Sequence, residues 1–194
     1  MKTTLQRGQD ITRIMRDRHA AVSTLNRLVK EPMLLREWSY ADPTGWIIQE
    51  KMDGCRMLWD GKRFWTRGGN IVDAPAWFLD GMPSDPLDGE LWFGRGTLPR
   101  ALSAIQGGDW NGALYAVFDA PLEGMAIEER LSMLDVIDLP SHAFIVPRRI
   151  CLGMEDMEDA LDDVATKEGE GIVLKRSGSN YEPGRSGNAR KLRL

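Results

Sequence analysis

The chain has 194 residues, 42% of them hydrophobic and 28% charged, and its formal net charge is −4. This length can build one compact soluble domain with a buried core, and no apolar run is long enough to span a membrane. The N-terminus turns polar before a signal-peptide core could form, and the two cysteines, Cys55 and Cys151, lack the spacing of a zinc site or a disulfide scaffold. We therefore expect a cytoplasmic protein without a membrane partner.

The charges are distributed unevenly along the chain. Residues 1–36 contain eight Lys/Arg against three Asp/Glu, residues 120–170 contain four against thirteen, and residues 175–194 contain six against one. Basic ends of this kind can contact a polyanion even though the whole chain is mildly acidic. Ordinary solvated helix faces are the alternative, and charge alone favours that alternative.

The first predicted element is a basic amphipathic helix over about 10–30, within an N-terminal unit that we place at 1–31. Apolar residues recur there at helical spacing among arginine and aspartate. The Glu31-Pro32 pair ends the helix, because the residue before a proline is disfavoured in helical conformation. A second unit covers 32–194.

The second unit is predicted to consist mainly of short strands. They cover 46–51, 56–60, 63–67, 87–93, 114–119, 171–175 and 191–194. An Asp-Gly pair indicates a hairpin between the second and the third of them, and two helices are predicted over about 126–137 and about 155–167. Because strands and helices do not alternate regularly, the pattern favours an α+β fold with packed antiparallel sheets.

The segment Glu50-Lys51-Met52-Asp53-Gly54-Cys55-Arg56 carries the first chemical signal. It places the amine of Lys51 at a strand end beside a tight turn, where an amine that has lost its proton would be a nucleophile. A surface lysine before a turn is the alternative, and this short pattern alone leaves that alternative open.

Three further residues that could take part in binding or catalysis follow in the middle of the chain. Arg67 lies in a Gly-rich turn, Glu90 lies in an Asp-Gly-Glu run at the start of a strand, and Phe118 lies on a strand that could present an aromatic face to a base. Taken singly, each is explained as well by a hairpin loop, a solvated carboxylate or plain core packing.

The C-terminal part adds one carboxylate and several cations. Glu170 and Lys175 belong to one Glu-Gly-rich strand segment, and alternation along the last strand puts Lys191 and Arg193 on one face.

In this order, the segments resemble the covalent nucleotidyltransferase superfamily of ATP-dependent DNA ligases, RNA ligases and mRNA capping enzymes. The pattern is K-x-D-G-x-R, R-G-G/N-G-N, D-G-E, Y-x-x-F-D, E-G-x-x-x-K and K-x-K, and all six segments run in order from Lys51 to Arg193. The chain looks most like the small bacterial ATP-dependent DNA ligases. The resemblance implies an ATP-grasp-like ligase adenylation domain over 32–194, built from two packed antiparallel sheets flanked by helices, with the N-terminal helix added.

The resemblance also implies the first chemical step. Lys51 would attack the α-phosphorus of ATP, expel pyrophosphate and carry AMP through a phosphoramidate bond. Lys175, Lys191 and Arg193 would stabilise the negative charge that develops on the phosphate.

Other residues would hold the nucleotide and a metal ion. By resemblance, Phe118 would stack on adenine, and Gln49 and Glu50 would line the base pocket. Glu90 would contact the ribose and the metal, while Glu170 is the better metal ligand. Separated carboxylates with oxygen ligands suit Mg²⁺ or Mn²⁺.

The expected partner is nicked duplex DNA. Arg56 and Arg67 would hold phosphate or ribose, with Arg67 the favoured contact for the 5′-phosphate of the nick, and the basic N-terminal helix could touch the DNA backbone. AMP would pass to that 5′-phosphate, and a 3′-hydroxyl would then displace it. We expect a monomer, and the sequence does not identify which protein partners the chain has.

The chain departs from the family pattern in two ways. The last motif reads Lys191-Leu192-Arg193, where the family has a second lysine, so the charge is kept and its geometry changes. The OB-fold domain that normally follows is absent from this sequence, which is expected of a fragment or of a minimal ligase. RNA ligation, capping chemistry and non-catalytic binding of nicks or ends remain alternative functions.

Overall fold

Residues 31–39 and 41–194 are described by the structure, a computed structural model. The helix predicted over about 10–30 lies outside the described residues. Within them, no helix is long and apolar enough to cross a membrane.

The described chain folds into eleven strands and four helices. The strands are β1 (Met33–Glu37), β2 (Ile47–Glu50), β3 (Cys55–Trp59), β4 (Phe64–Thr66), β5 (Ile71–Val72), β6 (Leu87–Trp92), β7 (Leu114–Asp119), β8 (Ala143–Ile145), β9 (Arg148–Ile150), β10 (Gly171–Lys175) and β11 (Gly184–Arg193). The helices are α1 (Ala76–Leu79), α2 (Leu98–Ile105), α3 (Ile127–Leu134) and α4 (Met154–Thr166).

The strands form two sheets, as the α+β prediction requires. The first sheet has the order β1-β11-β10-β2-β9, and the second has the order β5-β4-β3-β6-β7-β8. Most neighbours are antiparallel, but β1 pairs parallel with β11, and β7 pairs parallel with β8. The predicted antiparallel sheets are therefore confirmed for most strand pairs, and each sheet contains one parallel pair. Parallel neighbours need a long connection; α3 lies in the connection from β7 to β8, and most of the chain lies between β1 and β11.

Each sheet buries an apolar face. The larger core covers the second sheet and contains Met57, Phe64, Phe78 and Leu91. The smaller core lies between the first sheet and α4, where Ile48 and Leu174 pack with Met157 and Val164. Because side chains alternate along a strand, the neighbours of Ile48 and Leu174 point away from α4.

Those neighbours connect the two sheets. Gln49 Nε2 and Lys175 Nζ both donate hydrogen bonds to the carbonyl oxygen of Phe118 on β7, at 3.2 and 2.8 Å. A cleft between the sheets opens beside these contacts.

Candidate active site

The cleft between the two sheets brings together residues that the sequence motifs singled out. Its walls include all ten residues predicted to act as the nucleophile or to hold the nucleotide: Gln49, Glu50, Lys51, Arg56, Arg67, Glu90, Phe118, Lys175, Lys191 and Arg193. The motifs lie far apart in the chain, and the pairing of β2 with β10, of β10 with β11 and of β3 with β6 brings them to one place.

Lys51 follows β2 directly and is held by the neighbouring strand. Its backbone amide donates to the carbonyl oxygen of Gly171 at 2.9 Å, and its side-chain amine donates to Glu170 Oε2. Arg193 Nε lies 3.0 Å from the other carboxylate oxygen of Glu170. The predicted nucleophile and one predicted metal ligand are therefore direct neighbours.

The last motif carries two cations that share a partner on β1. Lys191 Nζ lies 3.0 Å from Glu37 Oε1, and Arg193 Nη1 lies 3.6 Å from the same oxygen. Lys191 and Arg193 thus reach the cleft from one face of β11, as alternation predicts.

Lys175 is deeply buried at the base of the cleft. Its amine donates to Asp119 Oδ2 at 3.1 Å and lies 5.1 Å from the centre of the Phe118 ring. Asp119 also receives Arg130 Nε at 2.8 Å. Burial lowers the pKa of Lys175. Burial opposes the charge of Asp119 as well, but Lys175 and Arg130 hold the pKa of that carboxyl below its usual value.

Arg56 is bound by protein groups through all three side-chain nitrogen atoms. Nε and Nη2 donate to the two carboxylate oxygens of Asp88 at 2.9 and 2.5 Å, and Nη1 donates to the carbonyl oxygen of Met33 at 2.6 Å. Tyr181 donates to the same Asp88 at 2.7 Å. Arg56 lines the cleft, but its hydrogen bonds fasten β1, β3 and β6 to one another.

Glu90 lies opposite Arg56 in the pairing of β3 with β6. Burial raises the pKa of Glu90 to about 8, although the charges of Arg56 and Lys51 act in the opposite direction. Close to neutral pH this carboxyl group therefore keeps its proton unless a further cation approaches.

Gln49 is 2% exposed, and only one of its two polar side-chain atoms has a hydrogen-bond partner among the described residues. Its Nε2 donates to Phe118, whereas its Oε1 has no hydrogen-bond partner among the described residues. The adjacent Glu50 differs from this, because Arg95 binds both of its oxygens at 2.8 Å. Both residues line the cleft. Of the two, only Gln49 has a side-chain oxygen without a hydrogen-bond partner among the described residues.

Arg67 is exposed in the turn between β4 and β5, at the edge of the cleft. The turn is closed by hydrogen bonds from Thr66 N to the carbonyl oxygen of Asn70 at 2.7 Å and from Gly69 N to that of Thr66 at 2.9 Å. The guanidinium group is thus carried on a short hairpin that lines the cleft.

Several residues of the site escaped sequence reasoning. Glu37 and Arg185 come from β1 and β11, and Arg95 comes from the loop after β6. Arg185 lines the cleft, and the other two bind residues that line it. Glu37 lies on a strand pairing between distant parts of the chain, which no local pattern reveals. For the other two, the available signals were the Gly-Arg-Gly run around Arg95 and the Gly-Arg-Ser run around Arg185.

Comparison with known proteins gives a consistent picture. No family model matches the chain. A DNA ligase from Haemophilus influenzae is 29% identical over 167 residues, which are 83% of this chain and 62% of that protein. The chain thus spans less than two thirds of this curated relative.

Solved structures with similar folds are also ligases. A structure from an analysis of Lig E DNA ligases, described as binding DNA with a minimal scaffold, has a TM-score of 0.78 at 28% identity, over 84% of this chain and 68% of that chain. Chlorella virus DNA ligase-adenylate has a TM-score of 0.68 at 19% identity, over 85% and 67%. The ligase domain of Mycobacterium tuberculosis LigD has a TM-score of 0.66 at 22% identity, over 84% and 59%. At 19% and 22% identity, the chlorella virus and LigD structures indicate similarity of fold alone. The chain is thus a homologue of a bacterial DNA ligase, and its described part has the nucleotidyltransferase fold of ATP-dependent DNA ligases.

Proposed function

We propose that the chain is the catalytic domain of an ATP-dependent DNA ligase that adenylylates itself on Lys51 and seals nicks in duplex DNA. The observation that carries the proposal is the position of the Lys51 amine. It lies in a cleft between two sheets, against the carboxylate of Glu170, with Lys175, Lys191 and Arg193 on the surrounding walls. The homology to a bacterial DNA ligase supports the same assignment.

In the first step, the neutral amine of Lys51 would attack the α-phosphorus of ATP. An N–P bond forms while the P–O bond to pyrophosphate breaks, and pyrophosphate leaves. Glu170 is placed to take the proton that the amine loses, since it already accepts a hydrogen bond from that amine. Lys191 and Arg193 would neutralise the charge that grows on the leaving group.

The base pocket favours adenine over guanine. The buried Oε1 of Gln49 needs a hydrogen-bond donor, because a buried polar atom without a partner is costly. The exocyclic amino group of adenine is such a donor, whereas guanine carries a carbonyl oxygen at that position. Phe118, on β7 of the second sheet and joined to Gln49 through its carbonyl oxygen, offers an aromatic ring for stacking on the base.

A divalent metal ion, Mg²⁺ or Mn²⁺, fits the carboxyl groups of Glu90, which lines the cleft, and of Glu170, which lies beside it against Lys51. Glu90 and Glu170 supply the oxygen ligands that such ions prefer, and a nearby cation would favour the ionised form of Glu90, whose pKa is about 8. The described residues contain no cluster of three or more His, Cys, Asp or Glu side chains, so water and phosphate oxygens would complete the coordination. The ion would supply further neutralisation of phosphate charge.

In the later steps, AMP would pass from Lys51 to the 5′-phosphate at a nick, and a 3′-hydroxyl would then displace AMP and form the phosphodiester bond. We propose Arg67 as the contact for the 5′-phosphate, because it is exposed at the edge of the cleft on a hairpin turn. DNA phosphates bound in this way give affinity that does not depend on sequence and that falls with salt.

The decisive experiment is intact-mass spectrometry of the purified chain with ATP and Mg²⁺. We expect one added AMP on the wild type, none on Lys51→Ala, and loss of the AMP when nicked 5′-phosphorylated duplex DNA is added. Lys62→Ala is the matched control, because Lys62 is exposed in the hairpin between β3 and β4, and it should keep the adduct.

Other outcomes separate the alternatives. An adduct formed with GTP in place of ATP would indicate capping chemistry, and discharge of AMP on nicked RNA but not on nicked DNA would indicate an RNA ligase. A wild-type chain that binds nicked DNA and forms no adduct with either nucleotide would contradict the proposed activity and favour a nick-binding role.

A further inference from the structure

The cations at the edge of the cleft belong to a chain of alternating charges. Glu37 contacts both Lys191 (3.0 Å) and Arg193 (3.6 Å) through the same oxygen. Arg193 also contacts Glu170 at 3.0 Å, and Glu170 contacts Lys51. The cations that would bind the nucleotide phosphates are therefore already paired with carboxylates of the protein.

The strand pairing fixes Glu37 in this position. Glu37 is the last residue of β1 and lies opposite Lys191 in the parallel pairing of β1 with β11. The next backbone amide, that of Trp38, donates to the carbonyl oxygen of Lys191 at 2.9 Å. Lys191 and Arg193 both line the cleft, so the contacts of Glu37 with them place its carboxylate at the edge of the cleft.

Glu37 contributes little to the stability of the fold. Its side chain is 67% exposed, and ion pairs at that exposure have only a small effect on unfolding. The carboxylate can leave Lys191 without uncovering a buried group. The main effect of Glu37 is therefore on the affinity of Lys191 and Arg193 for other ligands. Phosphate oxygens bind such cations through the same charge-assisted contacts as a carboxylate.

We infer that Glu37 sets the affinity of the cleft for polyphosphate by occupying Lys191 and Arg193 until the phosphates of the nucleotide displace it. This inference rests on the proposed function, since it takes the two cations to be the phosphate site. Two effects act in the same direction: the carboxylate must leave its contact, and its charge repels the incoming phosphates.

Calorimetric titration of the full chain with inorganic pyrophosphate tests this directly, because binding needs no chemistry. Glu37→Gln should bind pyrophosphate about three- to tenfold more tightly than the wild type, a range set by the modest strength of exposed ion pairs. Glu37→Asp keeps the charge but is too short to hold the contact with Lys191, and it should also bind more tightly. Glu155→Gln removes one negative charge from an exposed position on α4 and should bind like the wild type. The gain for Glu37→Gln should shrink as salt is raised.

Three results would overturn the inference. Pyrophosphate affinity unchanged or weaker in Glu37→Gln would show that the carboxylate does not compete. Wild-type affinity in Glu37→Asp would show that displacement of the contact plays no part, and no binding by any variant would show that the cations are not a phosphate site. A wild type that binds pyrophosphate tightly but never forms the AMP adduct would instead contradict the proposed function and leave this inference standing.

Discussion

Asp119 has a structural role that its place in the sequence motif does not indicate. Its carboxylate is 1% exposed and lies between Arg130, which is fully buried, and Lys175, which is 3% exposed. Arg130 also donates to the carbonyl oxygens of Met125 and Ser179, at 2.7 and 3.0 Å. One anion therefore compensates two buried cations and fixes the segments around them.

We expect Asp119→Asn to lower the free energy of unfolding at neutral pH by about 3–5 kcal/mol, because it leaves two buried cations without a counter-charge. The folded-state pKa of Asp119 is below its value in the unfolded chain, so its stabilisation is present above about pH 4 and is lost as the pH falls towards the folded-state pKa. The variant should therefore lose less stability on acidification than the wild type.

Urea unfolding at neutral and acid pH measures both effects. Asp162→Asn, at an exposed position on α4, is the matched control and should unfold like the wild type. Equal stability of Asp119→Asn and wild type at neutral pH would show that the buried cations do not depend on Asp119.

At the scale of elements, the turn after β2 is packed against β6. A Cβ atom added to Gly54 would lie 2.2 Å from the carbonyl oxygen of Leu91 and 2.9 Å from Cγ of Glu90. Glycine is required here by close approach of the backbone, and the contact ties the position of Lys51 to that of Glu90.

Gly54→Ala should destabilise the fold by about 1–3 kcal/mol, because the turn and β6 must move apart. The rate of self-adenylylation should fall as well, since the same movement shifts Glu90 relative to Lys51. Gly187→Ala on β11 is the control, because an added Cβ meets no atom within 4 Å there. Both variants are compared by denaturant unfolding. Equal stability of Gly54→Ala and Gly187→Ala would refute the packing explanation.

A bidentate ion pair between Arg95 and Glu50 joins the loop after β6 to β2. Arg95→Met would leave the carboxylate of Glu50 uncompensated beside the proposed nucleotide site. We expect the KM for ATP in self-adenylylation to rise about three- to tenfold, with little change in stability, because the pair is partly exposed.

The double variant Arg95→Met/Glu50→Gln tests whether charge is the cause. It should restore most of the lost affinity, because both charges of the pair are removed. Arg63→Met, at an exposed position of the hairpin between β3 and β4, controls for loss of a positive charge elsewhere. A KM that stays high in the double variant would mean that Arg95 acts through something other than Glu50.

Strands with strong local signals were predicted closely, and the others were not. The predicted strands at 114–119 and 171–175 coincide with β7 and β10, and the hairpin between β3 and β4 is confirmed. Four short strands were missed, namely β1, β5, β8 and β9, along with α1 and α2. Only 191–194 was predicted at the end of the chain, because the Gly-Arg-Ser-Gly-Asn run of β11 has the composition of a loop.

For the site, too, local sequence signals were predictive and pairings between distant residues were missed. The ordered motifs, through their resemblance to a known family, named ten of the residues that line the cleft. Their partners could not be named, since the pairs Glu37–Lys191 and Arg95–Glu50 join residues far apart in sequence. The role of Arg56 also depends on such partners: a contact with phosphate or ribose was predicted, and in the structure its donors are bound by Asp88 and Met33.

For the molecule as a whole, the two faces of the first sheet have opposite character. The cleft face carries Lys51, Lys175 and Lys191, whereas the other face is covered by α4, whose sequence is rich in aspartate and glutamate. A polyanion is attracted to one side and repelled from the other. The net charge of −4 is therefore compatible with binding nucleotide and DNA, because the negative charges of α4 lie across the sheet from the cleft.

The pairing of β1 with β11 also has a kinetic consequence. Leu35 and Arg185 are 150 positions apart and share a hydrogen bond, while the hairpin of β3 and β4 closes over a few residues. Contacts between distant segments form late, because a large loop must be closed before they are made. During refolding, tryptophans in the second sheet's core, such as Trp59 and Trp110, should become buried early. The final affinity for polyphosphate should be reached more slowly, since Glu37 meets Lys191 and Arg193 only when the pairing of β1 with β11 is in register.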